Sequence, residues 1–103
     1  MNQWTTLTTE DIATSIIDAR DTGADVINMS FSGPNPIETV RQAAHAAFLT
    51  DVLLVAAMGN DNSDSPVYPA RYSEIITAVG GTKRDDARYE NSNFGSWMDV
   101  CAP

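Results

Sequence analysis

The chain has 103 residues, 43% of them hydrophobic and 19% charged, a composition that suits one small globular domain and excludes a disordered chain. With 14 acidic and 6 basic residues the formal net charge is -8 at pH 7, which argues against a nucleic-acid partner, since a phosphate backbone is met by a basic face. No stretch nears the roughly 20 apolar residues of a membrane-spanning helix, and one cysteine, Cys101, allows no internal disulfide.

Trp4 to Leu7 is rich in threonine and reads as a short extended segment. The opening Met1-Asn2-Gln3-Trp4 is no signal peptide, so a secreted parent would carry its signal outside this chain. Thr8 or Thr9 caps a first helix, with Glu10 and Asp11 in the turn where the helix dipole favours acids. Ile12, Ala13, Ile16 and Ile17 form its apolar stripe, and Gly23 ends it. Asp25 to Ser30 follows as a strand with β-branched residues at its centre.

Gly33-Pro34-Asn35-Pro36 breaks the chain. Asn35 is expected to cap a second helix, with Pro36 at its first position and Glu38 three residues after the cap. Val40, Ala43, Ala44, Ala47 and Phe48 make the apolar face. The run Val52 to Ala57 has no charge and predicts a strand buried on both faces. It stops at Met58-Gly59-Asn60, where Gly59 allows a sharp turn and Asn60 offers a side-chain amide donor. In open α/β sheets the carboxyl ends of the strands are where ligands bind.

Asp61 to Pro66 is a polar, turn-rich loop. Ile75 to Val79 predicts another strand, stopped by Gly80-Gly81. Lys83 to Asn93 reads as an exposed loop or an irregular hairpin, and Met98 to Val100 as one more short strand. Cys101 reads as a buried, inert thiol. The order of elements predicts an α/β domain in three layers around a mainly parallel sheet, with right-handed crossovers. Two helices connected this way cover only part of such a sheet. The sequence therefore reads as an incomplete domain, whose bare face and strand edges predict self-association.

Five segments in order carry a resemblance: Asp25 to Ser30, Ala56 to Asn60, Tyr68-Pro69-Ala70, Ala78-Val79-Gly80, and Ser92 to Pro103. Together they resemble the middle of the catalytic domain of a subtilisin-like serine protease (a subtilase), nearest its thermitase-like and bacterial members. The resemblance runs from about Leu7 to Pro103. It implies the subtilisin-like fold and hydrolysis of peptide bonds in a peptide or protein substrate. The family's triad is Asp, His and Ser in that chain order. The matched part lies between the His and the Ser, and no motif of the three is present. His45, the one histidine, falls on the second helix and reads as structural. Ser63 and Ser65 have no histidine partner and read as loop residues.

The resemblance implies that Asn60 is the oxyanion-hole asparagine. Ser30, Phe31 and Ser32 match one wall of the primary specificity pocket, where the family usually has a leucine and a glycine after the serine. Ala57, Met58 and Gly59 match the opposite wall. Val67 stands at the pocket floor, where many members have glycine. Thr5 to Leu7 corresponds to the edge strand that clamps the peptide by strand addition. The resemblance implies no cofactor for the reaction. A structural calcium is its one optional ion, with backbone oxygens around Ala70, Tyr72 and Ile75 as the candidate site. Asp61-Asn62-Ser63-Asp64 lacks the glycine of a calcium loop and reads as solvated.

Two other readings stand beside this one. A truncated or pseudo-enzyme would bind a peptide or partner without cleaving it. A nucleotide-binding domain would need a Gly-x-Gly-x-x-Gly or a phosphate loop, and neither is present.

Overall fold

In the computed structural model, which describes residues 8–102, the element order is α1 (Thr9–Asp21), β1 (Val26–Met29), α2 (Glu38–Phe48), β2 (Leu53–Ala57), β3 (Thr77–Gly81) and β4 (Val100–Ala102). The four strands form one sheet in the order β1-β2-β3-β4, and each neighbouring pair is parallel. Met29 pairs with Ala56, Ala57 with Val79, and Gly81 with Ala102. The carboxyl ends of all four strands thus lie at one edge. The expected clamp at Thr5 to Leu7 lies outside the described residues.

Thr8 caps α1 with a full capping box. Its hydroxyl accepts the Asp11 N–H at 3.0 Å, and the Asp11 carboxylate accepts the Thr8 N–H at 3.3 Å. Gly23 follows the helix at φ +90°. The second helix departs from expectation, because Ile37 and not Asn35 is its N-cap, with no side-chain cap. Asn35 and Pro36 stay exposed outside the helix. The bond comes from a distant residue instead. The Ile37 N–H donates to the Tyr72 hydroxyl at 2.8 Å, and that hydroxyl donates to the Ile37 carbonyl at 3.3 Å.

The helices pack on one another and bury Ala13, Ile16, Val40, Ala43, Ala44 and Ala47 with Met29, Leu54, Ala56 and Ala78 of the sheet. Alternation puts Val26, Leu53, Val55, Thr77, Val79 and Val100 on the other face. There Val26, Leu53 and Val100 are half exposed. So β2 is buried on one face only, in place of the two expected. Among the described residues no helix covers the second.

Both later strands start two residues after their expected positions. The N–H groups of Ile75 and Ile76 turn back to the Tyr72 carbonyl, which keeps them out of the ladder. β3 then runs through Gly80 and Gly81, where the sequence suggested a stop. A Cβ on Gly80 would lie 2.8 Å from the Met98 thioether sulfur, so the glycine admits that side chain onto the strand. Met98 belongs to a turn, with its N–H donating to the Gly95 carbonyl at 3.2 Å. Asp99 starts the last strand by pairing with Ala78 through both N–H and carboxylate. Cys101 lies on this outermost strand and is exposed, contrary to expectation.

Candidate active site

Parallel pairing of β1 and β2 brings Ser30 and Asn60 to the same edge of the sheet. Ser30 directly follows β1, and Asn60 comes three residues after the end of β2. Both are exposed. The Ser30 hydroxyl accepts the Asn28 side-chain amide at 3.0 Å. Gly59 sits at φ +98°, a conformation that L side chains rarely adopt, and it turns the chain off the strand. A Cβ there would stand 3.6 Å from the Ser32 hydroxyl oxygen. The two walls matched in the sequence, 30–32 and 57–59, therefore approach each other at Ser32 and Gly59.

The remaining candidates divide by burial. Ala57 is half-buried. Met58 is sealed beneath the turn at 1% exposure. Phe31 packs against the core and lines a cavity of about 140 Å³ with Ile12, Ile16, Ile27 and Met29. Val67 is 7% exposed and belongs to the core. It precedes Tyr68, which exchanges two backbone hydrogen bonds with Gly33, at 2.9 and 2.8 Å. That bridge fixes residues 67–68 against the end of the 30–32 wall.

The residue that builds the turn was not among those singled out. Asn93 is 1% exposed and brackets Asn60 from both sides. Its Nδ2 donates to the Met58 carbonyl at 2.8 Å, and its N–H donates to the Gly59 carbonyl at 2.9 Å. Its Oδ1 accepts the N–H groups of Asp61 at 2.8 Å and Ser63 at 3.1 Å. Two donors on one side and one acceptor on the other fix which way the amide points. The neighbouring Ser92 ties this residue to β3, accepting the Gly81 N–H at 2.8 Å and donating to the Asn93 carbonyl at 2.9 Å. Arg88 closes the far side. Its guanidinium donates to Asn62 Oδ1 at 2.8 Å and to the Ser92 carbonyl at 2.7 Å, and lies over the Phe94 ring at 4.9 Å.

His45 is exposed on α2. Among the described residues no group of three or more His, Cys, Asp and Glu side chains gathers to hold a metal. The Tyr72 carbonyl, a candidate cation ligand, already accepts two backbone N–H groups from Ile75 and Ile76.

A family profile described as the subtilase family (peptidase S8) matches residues 1–103. The chain belongs to the subtilase family. Among its relatives, the thermophilic serine proteinase of Bacillus sp. (strain AK1) is 41% identical over 96 residues, covering 93% of this chain and 24% of that protein. Thermitase of Thermoactinomyces vulgaris is 39% identical over 92 residues, covering 89% and 33%. Subtilisin Savinase of Lederbergia lenta is 40% identical over 85 residues, covering 82% and 31%. This subtilase segment thus spans a third or less of each of these three relatives. Among solved structures, a cold-adapted subtilisin-like serine proteinase superposes with a TM-score of 0.85 at 30% identity, covering 95% of this chain and 36% of that one. The parallel α/β architecture described above is therefore the subtilisin-like one.

Proposed function

We propose that this chain is the central part of a serine endopeptidase, and that it supplies the oxyanion donor and both walls of the specificity pocket. The observation that carries this reading is Asn60, exposed on a fixed turn beside Ser30 to Ser32 at the sheet's carboxyl edge. Attack on a peptide carbonyl turns its oxygen into an oxyanion. A preorganised amide donor stabilises that charge more than it stabilises the neutral substrate, and this difference is what lowers the barrier. Asn60 is neutral and needs no titration to donate. The substrate backbone runs past Ser30 to Ser32, and Ala57 and Gly59 line the opposite side with Met58 buried beneath them. Phe31, turned toward the core, supports its wall from behind. Val67 keeps branched carbons at the pocket floor, so small or medium residues before the scissile bond are favoured over Tyr and Phe.

An oxyanion donor alone creates no charge to stabilise, because a nucleophile and its base must act first. Residues 1–103 by themselves therefore do not hydrolyse casein or a chromogenic peptide. The deciding experiment compares the isolated chain with the full-length protein that carries it, using a fluorophosphonate probe. Labelling of the full-length protein alone is the expected result. Labelling of the isolated chain, abolished by replacing one of its serines, contradicts the assignment. A full-length protein that binds peptide but never labels favours the non-catalytic binding reading.

A further inference from the structure

The geometry points to Asn93 as a positioning residue that aims the Asn60 amide at the oxyanion. The inference rests on the assignment of Asn60 above and extends it to a residue that never touches substrate. One buried carboxamide, with its own backbone N–H, holds Met58 and Gly59 before the donor and Asp61 and Ser63 after it. No other described side chain bonds both flanks of Asn60. The fit is reciprocal, since the ideal Cβ at Gly59 would stand 2.6 Å from Asn93 Nδ2. The glycine and the asparagine therefore occupy one shared space. Ser92 then anchors Asn93 to β3, so the donor's direction is set from the strand next to its own.

Small misplacement matters here. An oxyanion donor works through its alignment with a charge that exists only in the transition state. Loss of the Asn93 side chain leaves the Met58 carbonyl and the N–H groups of Asp61 and Ser63 without their partner, and the turn relaxes. A change of about 1 Å at a positioned group lowers the rate by up to about 100-fold. A role confined to stability would lower the melting temperature and leave the folded enzyme's kcat unchanged.

The test is a double-mutant cycle in the full-length protease, with kcat and KM measured well below each variant's melting temperature. Asn93→Ala is expected to lower kcat by roughly 10- to 100-fold, with KM changed less than about twofold. In an Asn60→Ala background the same replacement should cost less than about twofold in kcat, because residues that act as a unit are not additive. Equal losses in both backgrounds, or a loss confined to KM, overturn the inference. If Asn60→Ala lowers kcat and Asn93→Ala does not, the positioning role fails and the oxyanion role stands. If Asn60→Ala leaves kcat unchanged, the oxyanion role itself fails. Asn93→Asp serves should the alanine variant not fold. It keeps the acceptor for Asp61 and Ser63, loses the donor to Met58, and should show the same non-additive pattern.

Discussion

The space over Gly59 is filled by Asn93: an added Cβ would meet its Nδ2 at 2.6 Å, and the backbone there stands at φ +98°. Alanine at this position meets both a steric and a conformational penalty. Gly59→Ala should lower stability by more than about 1 kcal/mol. Urea unfolding of the full-length protein checks this. A stability within error of the wild type would show that Asn93 moves aside freely.

The cap of α2 comes from another part of the chain. The Tyr72 hydroxyl reaches the Ile37 backbone across 35 residues and joins the start of α2 to the loop before β3. Tyr72→Phe removes that hydroxyl and keeps the ring. The expected loss is about 0.5–1.5 kcal/mol, the net worth of a partly buried hydrogen bond. Thermal unfolding measures it, and an unchanged melting temperature means that solvent replaces the hydroxyl without cost.

Much of this architecture was legible in the residues. The threonine cap and isoleucine stripe of α1 and the alanine face of α2 have local causes and form as read, while Phe48, expected on that face, is exposed at its end. The starts of β3 and β4 were not legible. They depend on where the N–H groups of Ile75, Ile76 and Met98 turn back, which is settled by tertiary packing. Asn35 looked like a cap because its spacing to Glu38 was right. The Tyr72 hydroxyl that bonds Ile37 instead cannot be seen from a local pattern. Asn93 was hidden for a different reason. It lies in a polar stretch that reads as exposed, yet it is buried because four backbone groups satisfy it. Its place inside the Ser92-Asn93-Phe94-Gly95 motif was the only available signal.

At the start of α2, Glu38 pairs with Arg41 three residues on. The hydrogen bond from Arg41 is the main cause that lowers the Glu38 pKa below the usual carboxylate value, against a weaker opposing effect of desolvation. A lowered folded-state pKa contributes stability that is present above the unfolded value and lost as pH falls through the folded one. Glu38→Gln should therefore leave a shallower acid limb in a stability–pH curve, with a small effect at pH 7 because the pair is exposed. Identical acid limbs for the two proteins would show that the pair carries no net stabilisation.

Among the described residues no helix covers the second face of the sheet. Val26, Leu53 and Val100 are 54%, 53% and 50% exposed on the side opposite the helices. An apolar face of this kind drives association in water. Residues 1–103 in isolation should self-associate, and Leu53→Lys should weaken the association. Sedimentation velocity reads both. A sharp monomer that unfolds cooperatively contradicts the expectation.

Asn60 carries the central claim, and its replacement by alanine in the full-length protein tests that claim most directly. Removing the amide takes away a contact made chiefly in the transition state, so kcat should fall while KM stays nearly constant. The size of the fall, on the order of 10²–10³-fold, is that already known for removal of the matching donor in subtilisin and does not follow from the distances above. A variant with kcat intact, or with only KM altered, would show that Asn60 is a turn residue and not the oxyanion donor.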